Sequence, residues 1–253
     1  MTGSLRVVGL GPGPAHWITP EVSSALARAS DIVGYHGYVS RLSVGALQRV
    51  HSSDNGDELA RARLALELVA QDARVVVVSG GDPGVFAMAA AVFEAIATGP
   101  RAWRALDVQV LPGVTAMLAA AARLGAPLGN DFCALNLSDN LKPWSVIEKR
   151  LSLAAQADFV ISLYNPASRA RPEQIHTAFA ILRQHRAADT VVVFAQAIGR
   201  PDEALVITTL ATADLALVDM RTLVLVGASS TRCIERPNGL AWVYSPRWLE
   251  ESP

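Results

Sequence analysis

Three glycine-containing segments hold the residues of this sequence whose types and spacing could bind a ligand. They are Gly9-Leu10-Gly11-Pro12-Gly13-Pro14, Ser79-Gly80-Gly81-Asp82-Pro83-Gly84-Val85 and Leu111-Pro112-Gly113-Val114-Thr115-Ala116. Glycine lets the backbone approach a ligand closely or adopt a positive φ. Asp82 would repel an anion, so the second segment favours an amino group, a sulfonium or a ribose. The alternative interpretation is structural: Asp82 caps a helix after a Gly-Asp-Pro-Gly turn, and Thr115 caps another.

The first segment does not fit the dinucleotide-binding fingerprint. Its sixth position, which that fingerprint requires to be glycine, is Pro14, and the next helix begins only at Pro20. The second strand begins with Asp31 and carries no acid at its end to hold a ribose. The sequence also lacks Gly-x-x-x-x-Gly-Lys, which excludes a P-loop nucleotide hydrolase. A dinucleotide oxidoreductase is therefore a disfavoured alternative, and NAD binding would test it.

The elements that must position these segments alternate between strands and helices, which indicates an α/β fold. Thr19, Pro20 and Glu21 mark a helix start with an N-cap, a proline and an acid. The predicted strands are Leu5–Leu10, Asp31–Tyr35, Arg74–Ser79, Asp107–Leu111, Phe132–Leu137, Phe159–Tyr164, Val191–Ala195, Leu205–Thr209 and Leu223–Gly227. The other predicted helices are Glu58–Gln71, Phe86–Ala97, Val114–Arg123, Ser145–Ala155 and Pro172–Gln184. The short connections between the last three strands predict some antiparallel neighbours.

A break near the midpoint predicts two domains. Residues 124–131 contain two glycines and a proline, and the α/β alternation resumes after them. We therefore expect one α/β domain over residues 1–124 and a second, with a mixed sheet, over residues 131–253. A ligand site is expected in the cleft between them.

Composition narrows the class of protein. The chain has 253 residues, of which 51% are hydrophobic, and a formal net charge of −1. A sizeable core is expected, and a general nucleic-acid or membrane-surface binder is disfavoured. The two cysteines and five scattered histidines predict neither a disulfide framework nor a metal site. No run suggests a signal peptide or a membrane span, so a soluble protein of a reducing compartment is expected.

The ordered set of loops resembles the tetrapyrrole methylase family of S-adenosylmethionine-dependent enzymes. The motifs that carry the resemblance are Gly-x-Gly-Pro-Gly after the first strand, Gly-Gly-Asp-Pro-Gly-Val, Pro-Gly-Val-Thr-Ala and Leu163-Tyr164-Asn165-Pro166. The resemblance implies two α/β domains of the class III methyltransferase type, an active-site trough between them, and a homodimer. The protein is expected to be cytoplasmic. The resemblance also implies cofactor contacts at Pro12, Gly80, Gly81, Asp82, Val85, Thr115, Ala116, Tyr164, Asn165 and Ala197. The sequence departs from the family pattern at Pro14 and Ala228, and the segment 196–202 is one residue longer than in relatives.

Further motifs are similar to the branch of this family that methylates C17 of precorrin-3B in cobalamin biosynthesis. They lie in residues 34–38, 137–144, 146–151, 163–169 and 227–232. This similarity implies methyl transfer coupled to contraction of the macrocycle, which yields precorrin-4. The alternatives are the cobalt-containing version of the step, another precorrin methylase, and a non-catalytic cofactor-binding module.

Ring contraction requires a proton to leave a ring hydroxyl, and His36 is the candidate general base because imidazole exchanges protons near neutral pH. The alternative is an ordinary histidine of a surface loop. The candidates for binding the substrate carboxylates are Arg150, Arg169, Arg171 and Arg232, each of which is alternatively a solvated surface charge. Trp144 could stack on the macrocycle or belong to the core.

Overall fold

The computed structural model describes residues 3–54, 56–237 and 239–248. The chain forms two compact units, the first ending at Thr115 and the second starting at Ala116. Both are α/β units, as the sequence predicts. In the described part of the chain, no helix combines the length and the apolar character that crossing a membrane requires.

The first unit is built on a five-stranded parallel sheet. Its elements are β1 (Ser4–Gly9), α1 (Pro20–Arg28), β2 (Asp31–Tyr35), α2 (His36–Val39), β3 (Arg49–Ser53), α3 (Glu58–Ala70), β4 (Arg74–Ser79), α4 (Met88–Thr98) and β5 (Asp107–Leu111). The strand order is β3-β2-β4-β1-β5, and every neighbouring pair is parallel. All five strands therefore end at one edge of the sheet, which is where open α/β sheets bind ligands.

Local sequence explains why these elements form. Val75–Val78 in β4 are at most 2% exposed, because helices cover both faces of a central parallel strand. Thr19 is the N-cap of α1, where its hydroxyl accepts a hydrogen bond from the backbone N–H of Val22 at 3.2 Å. The predicted strand Arg74–Ser79 coincides with β4, and the predicted helix start at Pro20 coincides with the start of α1.

A buried carboxylate holds β3, a polar strand that apolar patterning does not predict. Asp31 on β2 has a fully buried side chain and accepts hydrogen bonds from Arg49 (2.8 and 2.9 Å) and His51 (2.8 Å) on β3. Burial raises the pKa of Asp31, but the hydrogen bonds from Arg49, His51 and Ser30 outweigh it and lower the pKa to about 2. The side chains of Asp31, Arg49 and His51 therefore join the outermost strand β3 to β2.

The second unit is built on a mixed sheet and a small three-stranded sheet. Its elements are α5 (Ala116–Leu124), β6 (Gly125–Ala126), β7 (Phe132–Asn136), α6 (Trp144–Gln156), β8 (Val160–Tyr164), α7 (Gln174–His185), β9 (Val191–Gln196), β10 (Ala204–Thr209), β11 (Thr222–Val226), β12 (Arg232–Ile234) and β13 (Trp242–Tyr244). The large sheet has the order β10-β9-β11-β8-β7, and the small one has the order β12-β13-β6. Strand β11 is antiparallel to both β8 and β9, so β8 and β9 run in the same direction. The expected antiparallel neighbours are present.

The predicted linker is partly regular structure. Gly125 and Ala126 form β6, which pairs in parallel with β13, and Gly129 donates a backbone hydrogen bond to the Ala126 carbonyl oxygen at 3.2 Å. The division between the compact units falls before α5, whereas the expected domain boundary falls after it. Apolar spacing finds a helix but cannot tell which sheet the helix packs against.

Candidate functional site

The three glycine-containing segments meet at the carboxyl edge of the first sheet. They follow β1, β4 and β5, whose ends are adjacent because β1 lies between the other two. A Cβ on Gly9 would lie 2.5 Å from the Gly81 carbonyl oxygen and 2.8 Å from the Gly113 Cα. Gly11 and Gly81 both have a φ of +67°, and the Gly11 N–H donates to the Gly81 carbonyl oxygen at 3.1 Å. Glycine is required here because the backbones of the three loops touch.

Asp82 joins the second segment to the third. One carboxylate oxygen accepts from the Gly84 N–H at 2.8 Å, and the other accepts from the Gly113 N–H at 2.9 Å. The carboxylate thus caps its own turn and also fixes a neighbouring loop. Each oxygen can accept a further hydrogen bond, so this role is compatible with a contact to a ligand hydroxyl or cation.

The remaining first-unit residues of the predicted cofactor set lie at the same edge. Pro12, Gly80 and Val85 are partly exposed in the loops after β1 and β4. Thr115 is 5% exposed, and its Cα would lie 3.7 Å from a Cβ on Gly81. The structure therefore brings together the first-unit half of the predicted set, from three separate stretches of sequence.

The segment after β2 contacts two of these loops, through residues that sequence reasoning did not assign. The ring of Tyr38 packs on Gly80 so closely that a Cβ there would lie 2.7 Å from the ring atom Cε1. The guanidinium of Arg41 donates to the Gly13 carbonyl oxygen at 2.7 Å and lies 3.4 Å from that of Gly11. The motif Gly-Tyr-His-Gly-Tyr over residues 34–38 marks this segment in the sequence, but it does not predict the contacts of Tyr38 and Arg41.

His36 is the first residue of α2 and its side chain is exposed. It follows β2, so it lies at the carboxyl edge of the sheet, as the sequence predicts. This position gives the imidazole access to a ligand bound at that edge. Its role as a base stays a prediction.

Tyr164, Asn165 and Ala197 occupy one edge of the second sheet, because β8 and β9 end in the same direction. The Tyr164 hydroxyl accepts a hydrogen bond from the Met117 N–H at 3.1 Å, which places it beside the start of α5 and hence near Ala116. The Asn165 amide donates to the Asn136 side-chain oxygen at 3.1 Å. The second-unit half of the predicted set is also assembled by the fold.

Two residues of this edge have a left-handed backbone. The φ angle is +50° at Asn165 and +48° at Ala197. Asparagine tolerates this conformation, whereas alanine in it is strained and must be held by its surroundings. Ala197 is 3% exposed, and its N–H donates to the Arg221 carbonyl oxygen at 3.0 Å. Strain of this kind clusters at functional sites.

The four candidate arginines occupy different places. Arg150 is exposed on α6, and Arg169 is exposed in the loop after β8. The side chain of Arg171 is 12% exposed and lies 3.9 Å from Asp139. Arg232 on β12 donates to the Ser229 carbonyl oxygen at 2.8 Å. Their contacts do not join them into one cluster, so the carboxylate-binding role stays a prediction.

Trp144 packs against the hydrophobic core of the second unit, and its indole N–H donates to Glu148 at 2.8 Å. This arrangement favours the core interpretation over stacking on a ligand. Among the residues that the structure describes, no group of three or more His, Cys, Asp or Glu side chains could hold a metal ion.

These two units define an α/β protein that presents glycine-rich or strained loops at the carboxyl ends of its strands, the place of a small-molecule site. The sequence model of the Tetrapyrrole (Corrin/Porphyrin) Methylases matches residues 4–214. The chain belongs to this methyltransferase family.

Individual relatives match nearly the whole chain. A precorrin-3B C(17)-methyltransferase from Sinorhizobium sp. is 53% identical over 248 residues, which are 98% of each chain. A probable cobalt-factor III C(17)-methyltransferase from Salmonella typhimurium is 40% identical over 90% of this chain and 93% of its own. The crystal structure of the methyltransferase CobJ has a TM-score of 0.91 at 50% identity, covering 96% of this chain and 100% of that one.

Proposed function

We propose that this protein methylates C17 of precorrin-3B and contracts the macrocycle to precorrin-4, in cobalamin biosynthesis. The observation that carries the proposal is the 53% identity to the Sinorhizobium enzyme over 98% of both chains. The substrate is a small tetrapyrrole, and S-adenosylmethionine is the methyl donor.

The residues present fit this donor. The donor combines a sulfonium cation with a ribose, and the first-unit edge offers flat glycine backbone beside the carboxylate of Asp82. A side chain on Gly9 or Gly113 would enter the closest contact between the loops, so glycine at these positions lets the loops pack side by side at this edge. We propose that the donor is held by Pro12, Gly80, Gly81, Asp82, Val85, Thr115, Ala116, Tyr164, Asn165 and Ala197.

The donor supplies an electrophilic methyl group when it is bound. The tasks of this chain are then to align the macrocycle carbon, to exclude water and to move a proton. The loops perform the alignment, and the hydrogen bonds of Gly84 and Gly113 to Asp82 and of Gly11 to Gly81 join them to one another. His36, exposed at the carboxyl edge, takes the proton of the ring hydroxyl during contraction.

The test is incubation of the purified chain with precorrin-3B and methyl-labelled S-adenosylmethionine. Incorporation of one label, together with the mass and absorption spectrum of precorrin-4, supports the proposal. Turnover of a cobalt-containing substrate alone would instead favour the cobalt-dependent step, which the 40% identity to the Salmonella enzyme makes the second candidate. Thermal stabilisation by the donor without methyl transfer to any tetrapyrrole would indicate a binding module.

The role of His36 is tested separately by single-turnover kinetics. His36→Ala is expected to slow contraction at least tenfold while leaving donor binding unchanged, since general bases contribute about 10²–10⁴-fold. Full methylation and contraction in the variant would show that His36 is an ordinary surface histidine. His16, which is also exposed, is the matched control for removal of an imidazole.

We also propose that the protein is a homodimer, as the family resemblance implies, and that it is cytoplasmic. Its net charge of −1 supports the further proposal that it binds neither nucleic acid nor membrane surfaces. Light scattering during size-exclusion chromatography measures the mass directly. A single-chain mass of 26.8 kDa at micromolar concentration would reject the dimer.

A further inference from the structure

We propose that Arg41 is a positioning residue that holds the first glycine loop in the shape that receives the methyl donor. The inference rests on the proposed function for the identity of that donor. Arg41 lies two residues beyond α2, and its guanidinium reaches the carbonyl oxygens of Gly13 at 2.7 Å and Gly11 at 3.4 Å. It thus bonds to both ends of the Gly11-Pro12-Gly13 turn.

The loop needs such a contact because its own backbone restrains it poorly. Leu10 donates to the Ser79 carbonyl oxygen at 2.9 Å, and Gly11 donates to that of Gly81 at 3.1 Å. The next two residues are Pro12, which has no N–H, and Gly13, which has the greatest conformational freedom of any residue type. Fixing these residues costs conformational entropy, which hydrogen bonds to a charged group can offset.

The guanidinium also determines which face the loop offers to a ligand. Hydrogen bonding turns the carbonyl oxygens of Gly11 and Gly13 towards Arg41. An arginine can span two carbonyl groups with its planar fork, whereas a lysine ammonium is a single compact charge. The inference therefore requires the shape of the side chain as well as its charge.

The same segment contacts the second loop. Tyr38 packs on Gly80, and the backbone from His36 to Leu42 is fixed by hydrogen bonds from Ser40 to His36, from Arg41 to Tyr38 and from Leu42 to Val39, each about 3.0 Å. Movement of Arg41 is therefore linked to the loop after β4 as well. This arrangement predicts an effect on donor binding that exceeds the effect on overall stability.

The test compares Arg41→Met and Arg41→Lys with the native chain and with Arg28→Met. Arg28 is the matched control, because it is an exposed arginine of the same unit with a hydrogen bond to Ser24 at 2.7 Å. Calorimetric titration with S-adenosylhomocysteine measures donor-site affinity without catalysis. We expect the Kd to rise about ten- to hundredfold in both Arg41 variants, with kcat at saturating donor and KM for the tetrapyrrole within about threefold.

Amide hydrogen exchange over residues 9–18 is measured on the same proteins without any ligand. We expect the bonded amides of Leu10, Gly11 and Trp17 to exchange faster in the Arg41 variants and not in Arg28→Met. This measurement tests the role of Arg41 in the loop independently of ligand binding. If the native chain does not bind S-adenosylhomocysteine, that result refutes the proposed donor and leaves the exchange test of Arg41 intact.

Native exchange rates in the Arg41 variants would overturn the inference. So would a Kd within twofold of the native value, or full recovery of affinity by Arg41→Lys. A lowered thermal midpoint together with a fall in kcat and proportional rises in KM and Kd would also overturn it, because that pattern indicates a general structural role.

Discussion

Replacing Gly113 with alanine places a Cβ inside the closest contact between the three loops. The new atom would lie 2.4 Å from the Gly81 carbonyl oxygen and 2.8 Å from the Gly9 Cα. Ordinary contact requires about 3.4 Å, so a backbone must move by about 1 Å. The neighbours are main-chain atoms at the ends of β4 and β1, which cannot rotate away as a side chain can.

We expect Gly113→Ala to lower the free energy of unfolding by about 2–3 kcal/mol, which is the upper part of the range for overpacking. Affinity for S-adenosylhomocysteine should fall at least tenfold, since the displaced loops need to lose only about 1.4 kcal/mol of binding free energy for that factor. Urea unfolding and calorimetric titration measure the two quantities.

Gly45→Ala is the control. A Cβ on Gly45 would meet only the flexible side chain of Gln48, at 3.5 Å and beyond, and Gly45 is not among the glycines with positive φ. We expect its stability to stay within about 0.5 kcal/mol of the native value. If Gly113→Ala is as stable and binds as tightly as Gly45→Ala, the close approach of the loops is not what requires glycine.

Three further changes test other contacts. Because the pKa of Asp31 is about 2 instead of 3.8, its contribution to the free energy of unfolding is complete above pH 5 and declines as pH falls towards 2. Urea unfolding at pH 6 and at pH 2 should show that the native chain loses about 2 kcal/mol more stability over this range than Asp31→Asn does. Thr19→Ala should lose about 1 kcal/mol of stability through the missing cap of α1, whereas Thr19→Ser should keep it. Equal urea midpoints for Thr19→Ala and the native chain would contradict this. Asp82→Asn keeps only one acceptor for the Gly84 and Gly113 N–H groups, so about 1–3 kcal/mol of stability and part of the donor affinity should be lost, whereas exposed Asp107→Asn should change donor affinity little.

Strands with strong apolar patterning could be predicted from the sequence, and strands held by polar or distant partners could not. Val75–Val78 indicate a buried strand because their side chains alone determine where they lie. Arg49–Ser53 forms a strand because Asp31 binds Arg49 and His51, a contact across 18 to 20 residues that no local pattern encodes. Gly125–Ala126 becomes a strand only through pairing with β13, more than 100 residues later.

The candidate site divides in the same way. Glycine and proline spacing identifies the loops after β1, β4 and β5, since those residue types carry conformational information. The contacts of Tyr38 with Gly80 and of Arg41 with Gly13 depend on the neighbouring order β2-β4-β1 in the sheet, which the sequence does not state. The strained φ of Ala197 is likewise invisible in the sequence, because alanine is not a residue that signals a left-handed backbone.

The place of β11 in the second sheet sets an order of events during synthesis. β8 and β9 are separated by β11, which leaves the ribosome after both of them and pairs with each. A nascent chain that ends before Thr222 can form the β9–β10 hairpin and the β7–β8 pair but cannot join them. The first unit, complete at Thr115, can fold well before that moment, so translation stalled between the two points would yield a protein with its glycine loops assembled and its second sheet in two pieces.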